Sequence, residues 1–168
     1  MKLILFFIII QAIIALSLLI ILFLYDLKHW LLPNIYIFPF AVLGISFHYS
    51  YGFSIIESSD LFLGALAGGG FLFAIRLIGN GVYKQESLGL GDVKLMGAAG
   101  IWLGPQGALM AITVGAIFGL IHGVGIYIFK KYIKKQKKTL FRKLSLPAGP
   151  GFILGILFSF YFVFYNLI

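Results

Sequence analysis

Five side chains in this chain can carry a negative charge: Asp26, Glu57, Asp60, Glu86 and Asp92. Two stand out. Asp26 follows an unbroken apolar run and precedes Leu31-Leu32-Pro33-Asn34, while Asp92 closes Gly89-Leu90-Gly91-Asp92. A carboxylate next to a long apolar run is costly to place in a membrane, so a functional role is the default hypothesis for it. The alternative for Asp26 is a helix-end carboxylate reaching to the interface. For Asp92 it is a helix N-cap after a glycine turn. Glycines at 89 and 91 carry no side chains, which lets another backbone come close to the acid and suits a site that admits an extended peptide. Two carboxylates brought together can share one proton and activate a water for peptide hydrolysis. One takes the proton of the water, and the other donates to the scissile carbonyl. Glu57 and Asp60 read as ordinary solvated ends of helices.

The elements that would position such a pair are membrane helices. Hydrophobic residues make up 61% of the 168 residues and charged ones 11%, well below the ~25% charged residues of soluble domains. A water-soluble domain of this size cannot hide that much apolar surface. Apolar segments fall at roughly 3–25, 35–51, 60–79, 92–103, 106–129 and 149–167, and about 20 residues are needed to span the hydrocarbon core. The sequence therefore predicts an all-α polytopic membrane protein of about six transmembrane helices, in a single domain over 1–168. The first span reads as retained, because it is longer than the ~7–15 apolar residues of a signal sequence. The second contains Pro39 and is expected to kink or to extend beyond its apolar part. The fourth, only a dozen residues before Gly104-Pro105, is expected to be short or partly buried.

Charge orients these spans. Eight of the 13 Lys and Arg lie between Lys130 and Lys143, which marks that loop as cytoplasmic. Counting back across alternating spans puts 26–34 and 80–91 on the same side, with Lys28, Arg76, Lys84 and Lys94 in or beside them. The opposite loops hold no Lys or Arg, and Lys2 alone falls on the wrong side. Asp26 and Asp92 thus come out together at the cytoplasmic face of a multi-pass protein of the plasma (inner) membrane. The basic run is explained as a topology anchor touching anionic lipid, and no nucleic-acid partner is expected. Glycines at Gly64/Gly68, Gly115/Gly119/Gly123 and Gly151/Gly155 read as close helix packing.

At these residues a family resemblance becomes visible. Asp26-Leu27-Lys28-His29-Trp30-Leu31-Leu32-Pro33-Asn34 resembles the first aspartate motif of the type IV prepilin peptidases. Glu86-Ser87-Leu88-Gly89-Leu90-Gly91-Asp92-Val93-Lys94, running on to Gly100 and Gly104, resembles their G-x-G-D motif with its flanks. Leu146-Pro147-Ala148-Gly149-Pro150 is similar to the Pro-Phe-Gly-Pro segment that opens their last helix, with Ala148 in place of the commoner Phe. The resemblance covers nearly the whole chain. It implies a G-x-G-D membrane aspartic endopeptidase, without metal or cofactor, whose catalytic pair is Asp26 and Asp92. Its substrates would be membrane-inserted prepilin or pseudopilin precursors, cut at the end of a short basic leader on the cytoplasmic side. Gly89, Gly91, Glu86, Lys94, Pro147 and Gly149 match motif positions expected to support the site. Many bacterial members carry an additional N-terminal region with paired C-x-x-C motifs, associated with methylating the new N-terminus. Asp26 lies after one span and the chain has no cysteine, so no methyltransferase activity is expected.

Other readings stand beside these. Lys94 either steadies Glu86 and the electrostatics of the site or is a topology lysine. Pro147 and Gly149 either start a helix or shape the site. His29 packs at the interface or pairs with Asp26, His48 is interfacial, and His122 hydrogen-bonds a neighbouring helix. No metal-ligand spacing occurs among them. The competing function is a small transporter or assembly subunit in which Asp26 and Asp92 bind protons or ions. Such a relay would not require the glycine-flanked Asp92, Glu86 and the Pro-Ala-Gly-Pro segment together.

Overall fold

The structure, a computed structural model, describes residues 2–129 and 148–165. All regular structure in them is helical. In chain order the elements are α1 (Lys2–His29), α2 (Asn34–Ser50), α3 (Ser58–Ala65), a π-helical turn (Leu66–Gly70), α4 (Phe71–Tyr83), α5 (Leu90–Ile128) and α6 (Gly149–Phe164). Three helical stretches among the described residues, Ile4–His29, Ser58–Tyr83 and Leu90–Ile126, are long and apolar enough to cross a membrane, and Gly149–Phe164 is a shorter apolar helix. The fold class expected from the sequence is therefore present. The basic run Lys130–Lys143 and Pro147 lie outside the described residues.

Apolar side chains cover the outside. Phe6, Ile13, Leu24, Ile35, Phe62, Ile78, Leu120 and Phe162 are all exposed, as suits a surface solvated by acyl chains. Helix association then rests on close packing of small residues. The glycine pattern is satisfied in this way. A Cβ on Gly64 would run into the Gly100 carbonyl, and one on Gly155 into the Ala111 carbonyl. These contacts dock α3 and α6 on opposite halves of α5.

The centre of the molecule is α5. At 1.5 Å per residue its 39 residues would extend about 58 Å if straight, twice a hydrocarbon core. It is broken at Gly104, whose φ of 67° and ψ of −179° lie outside the helical region. Only glycine adopts that combination readily, and the following Pro105 cannot donate to the preceding turn. The half 90–103 is the expected short, partly buried helix, with Leu95, Met96, Ala99, Trp102 and Leu103 in the core.

Breaking a helix in an apolar interior frees carbonyls that need partners. One is met by a histidine: His48 Nε2 lies 3.1 Å from the Trp102 carbonyl and donates to it. The Trp102 indole Nε1–H in turn donates to the Phe40 carbonyl at 2.8 Å, beside Gly44, where a Cβ would lie 2.8 Å from the indole nitrogen. α2 is thereby tied to α5. His48 is fully buried, not interfacial as its sequence position suggested. His122 is exposed on α5, so the expected interhelical bond is not formed within the described residues. Pro39 does not interrupt α2, which runs continuously from Asn34 to Ser50.

Candidate active site

Asp26 lies in the last turn of α1. One residue past that helix, Trp30 turns into the left-handed region at φ 57°, and its N–H donates to the Asp26 carbonyl at 2.9 Å. This closes the helix with the αL cap usually made by glycine. Leu32, held extended by the following proline, then leads to Pro33. The Pro33 carbonyl accepts the first α2 bonds, from Tyr36 at 3.2 Å and Ile37 at 3.4 Å. The motif after Asp26 is thus a tight reversal that leaves the carboxylate facing inward, 4% exposed.

Asp92 is the third residue of α5, after the N-cap Gly89. A side chain at that position can fold back onto the N-cap backbone, and the Asp92 carboxylate does so: a Cβ at Gly89 would lie 2.9 Å from Asp92 Oδ2. The second glycine serves a different neighbour. A Cβ at Gly91 would lie 2.8 Å from Leu32 Cβ, so Gly91 admits the turn that follows Asp26. In G-x-G-D, one glycine makes room for the acid and the other for the segment carrying its partner.

A third segment closes the site. α6 begins at Gly149 with Pro150 in its first turn, a position that suits proline's missing N–H. A Cβ on Gly149 would fall 2.5 Å from Asp26 Oδ2, 2.9 Å from Asp26 Cγ and 3.2 Å from Leu32 Cδ1. The N-terminus of α6 therefore packs against the Asp26 carboxylate, and a helix N-terminus favours negative charge. Among the described residues Asp26 Oδ2 is buried without a hydrogen-bond partner. Asp92 is 7% exposed, and its segment meets that of Asp26 where Gly91 packs on Leu32. Three segments far apart in sequence thus bring two buried carboxylates and a glycine-only helix start into one place around Leu32.

The supporting residues fall out differently from the sequence reading. Lys94 does not hold Glu86; its Nζ donates to Asn34 Oδ1 at 3.2 Å, joining the Asp92 helix to the turn after Asp26. Glu86 instead pairs with Arg76 at 2.8 Å. Arg76, counted from sequence only as an orienting charge, is 7% exposed and also donates to the Leu88 carbonyl. Its position inside an apolar helix was the available signal. Gly149 sits in the site as expected. His29 is exposed and lies tilted against Tyr25, with ring centroids 4.5 Å apart. Among the described residues no three His, Cys, Asp or Glu cluster as metal ligands would.

Fold and site together define a polytopic helical membrane protein with a buried aspartate pair. Residues 13–124 match the family described as the type IV leader peptidase family, and the chain belongs to that family. It is 32% identical over 130 residues, 77% of its length, to the prepilin leader peptidase/N-methyltransferase of Escherichia coli strain K12, covering 53% of that protein. It is 30% identical over 156 residues, 93% of its length, to the protein of the same name from Pectobacterium carotovorum subsp. carotovorum, covering 52% of it. A type 4 prepilin-like proteins leader peptide-processing enzyme of Escherichia coli O78:H11 is 30% identical over 136 residues, 81% of this chain and 45% of that protein. The chain spans about half the length of these curated relatives. No solved structure matches it.

Proposed function

We propose that this chain is an aspartic endopeptidase that removes the leader of type IV prepilin-like precursors, with Asp26 and Asp92 as its catalytic pair. The observation that carries the proposal is the meeting, around Leu32, of the segments that hold these two buried carboxylates, with the α6 start against Asp26, in a chain of the leader peptidase family. Like charges this close cannot both ionise easily, so the pair holds one proton between them. A water between them loses a proton to the ionised carboxylate as its oxygen attacks the scissile carbonyl, while the protonated carboxyl donates to the carbonyl oxygen. Collapse of the tetrahedral intermediate breaks the C–N bond. The amine leaves with a proton from the carboxyl that took one from water, while the other carboxylate takes a proton back from the gem-diol oxygen as the C=O re-forms, so the pair returns to its shared-proton state.

The precursor's apolar helix would lie in the bilayer and its leader at the cytoplasmic face of the plasma membrane. The charge distribution supports this orientation: Arg76, Lys84 and Lys94 flank the Asp92 turn, and the loop 52–57 has no Lys or Arg. The test is co-expression of a type IV prepilin with wild-type, Asp26→Asn and Asp92→Asn forms, read by the mobility of the pilin. Both substitutions are expected to leave the leader attached. Cleavage persisting in either variant rejects the two-carboxylate mechanism.

A further inference from the structure

Arg76 is a cation in a helix of low polarity, and only it and Leu72 are buried on α4. A buried charge of this kind is costly unless fully partnered. Its partners are specific. One guanidinium nitrogen, Nη1, donates to the carbonyl of Leu88. The other, Nη2, donates to Glu86 Oε1 at 2.8 Å. One turn further along the same face of α4, Asn80 Oδ1 accepts from the Ser87 amide at 2.8 Å and from the Ser87 hydroxyl at 3.0 Å. Two side chains of α4 thus hold the three consecutive residues that precede Gly89.

The carbonyl bond is the significant one. Glu86 is 82% exposed as a side chain, and an exposed ion pair contributes little. Leu88 directly precedes the N-cap of α5, and the Asp92 carboxylate packs on that N-cap. The orientation of the Leu88–Gly89 peptide therefore sets where the Asp92 carboxylate lies. α4 otherwise has little contact with α5.

We infer that Arg76 is a positioning residue for Asp92, its guanidinium fork fixing the Leu88 carbonyl and hence the turn on which Asp92 is mounted; the inference rests on the peptidase reading above. Arginine suits the task because its fork addresses two acceptors in different directions, whereas a lysine ammonium is a single point charge.

The experiment compares wild type, Arg76→Met, Arg76→Lys and Glu86→Gln, purified in detergent, for kcat and KM on a full-length type IV prepilin. A carboxylate misplaced by about 1 Å costs up to ~10²-fold in rate, so Arg76→Met is expected to lower kcat at least ~tenfold with KM little changed. Arg76→Lys is expected to recover only part of that loss. Glu86→Gln still accepts from Arg76 and should lose far less than Arg76→Met. Hydrogen exchange gives a readout independent of turnover: amides of 86–93 should exchange faster in both Arg76 variants, with those of α1 unchanged. If Arg76→Met does not yield folded protein, Arg76→Lys decides. Wild-type kcat together with wild-type exchange in the Arg76 variant that folds overturns the inference. A wild-type enzyme that cleaves no prepilin overturns the proposed function instead, and the exchange data then decide the role of Arg76 alone.

Discussion

Adding one methyl group at Gly149 should damage the reaction far more than the fold. The new Cβ would lie 2.5 Å from Asp26 Oδ2 and 2.9 Å from its Cγ, against the ~3.5–4.0 Å of a comfortable carbon contact. About 1 Å must therefore be made up. Two things can move. The Asp26 side chain can swing to another rotamer, or the first turn of α6 can retreat from α1. Swinging the carboxylate costs the fold little, because only its terminal atoms shift. Gly149 is the first residue of α6 and stands directly before Pro150, so alanine there brings none of the preference over glycine that it has in a helix interior. Because the carboxylate can move aside, Gly149→Ala should lower stability by no more than about 1–2 kcal/mol. For catalysis no such relief exists, since either movement shifts Asp26 relative to Asp92 or to the α6 start. A displacement of this size is expected to lower kcat by up to ~10²-fold.

The assay is leader cleavage by purified protein at saturating prepilin, with thermal unfolding measured on the same samples. Gly81→Ala is the matched control: it also lies in a helix, but its Cβ would meet nothing within 4 Å. It should cleave as wild type does and be as stable or slightly more so. Wild-type turnover by Gly149→Ala would refute the argument, because the contact that places α6 on Asp26 could not then exist in the working enzyme.

Three further outcomes follow from the same contacts. Gly91→Ala puts a Cβ 2.8 Å from Leu32 Cβ, forcing the two aspartate-bearing segments apart; leader cleavage in co-expression should fall by at least ~tenfold by the same misplacement argument. Lys94→Met removes the 3.2 Å bond to Asn34, but Lys94 is exposed and such a link contributes at most ~1 kcal/mol, so kcat/KM should drop by less than ~tenfold. Trp102→Phe leaves the Phe40 carbonyl without its indole donor, and a lost buried bond costs about 1–3 kcal/mol. Unfolding in detergent should shift to a lower temperature while the folded enzyme keeps its turnover.

Much of this arrangement was legible because it depends on features sequence states directly. The apolar runs gave the helices, and Gly104-Pro105 marked the break in α5 before its geometry was known. The glycine spacings foretold the close contacts of Gly64 and Gly155. The two aspartates could be matched because each is tied to a local signal, a helix end in one case and a glycine turn in the other. Side-chain pairings were less accessible. Lys94 and Glu86 lie close in sequence, yet the loop turns Glu86 back toward α4 while Lys94 points across to α2. His48 looked interfacial because it sits near the end of an apolar run. Its burial follows from the carbonyls that Gly104 frees on a different helix, which no local pattern encodes.

The site is assembled chiefly by what is missing from it. Gly89, Gly91 and Gly149 each face a side chain of the aspartate-bearing segments at a distance that excludes a Cβ. Hydrogen bonds between side chains hold only the periphery, through Arg76, Asn80, Lys94 and Asn34. That division has a physical reason. In a water-poor interior any additional donor beside the carboxylates would stabilise one charge state and compete with the water that the proposed reaction places between them. Backbone contact and van der Waals fit position the pair without that competition. The consequence is an ordering of sensitivities: small-to-large changes at the three glycines should cost more activity than removal of a peripheral hydrogen bond, whereas for stability the buried bonds of Trp102 and His48 should matter more than Gly149. Activity and unfolding measured across this set would separate the two orders, and one common ranking for both would contradict the division.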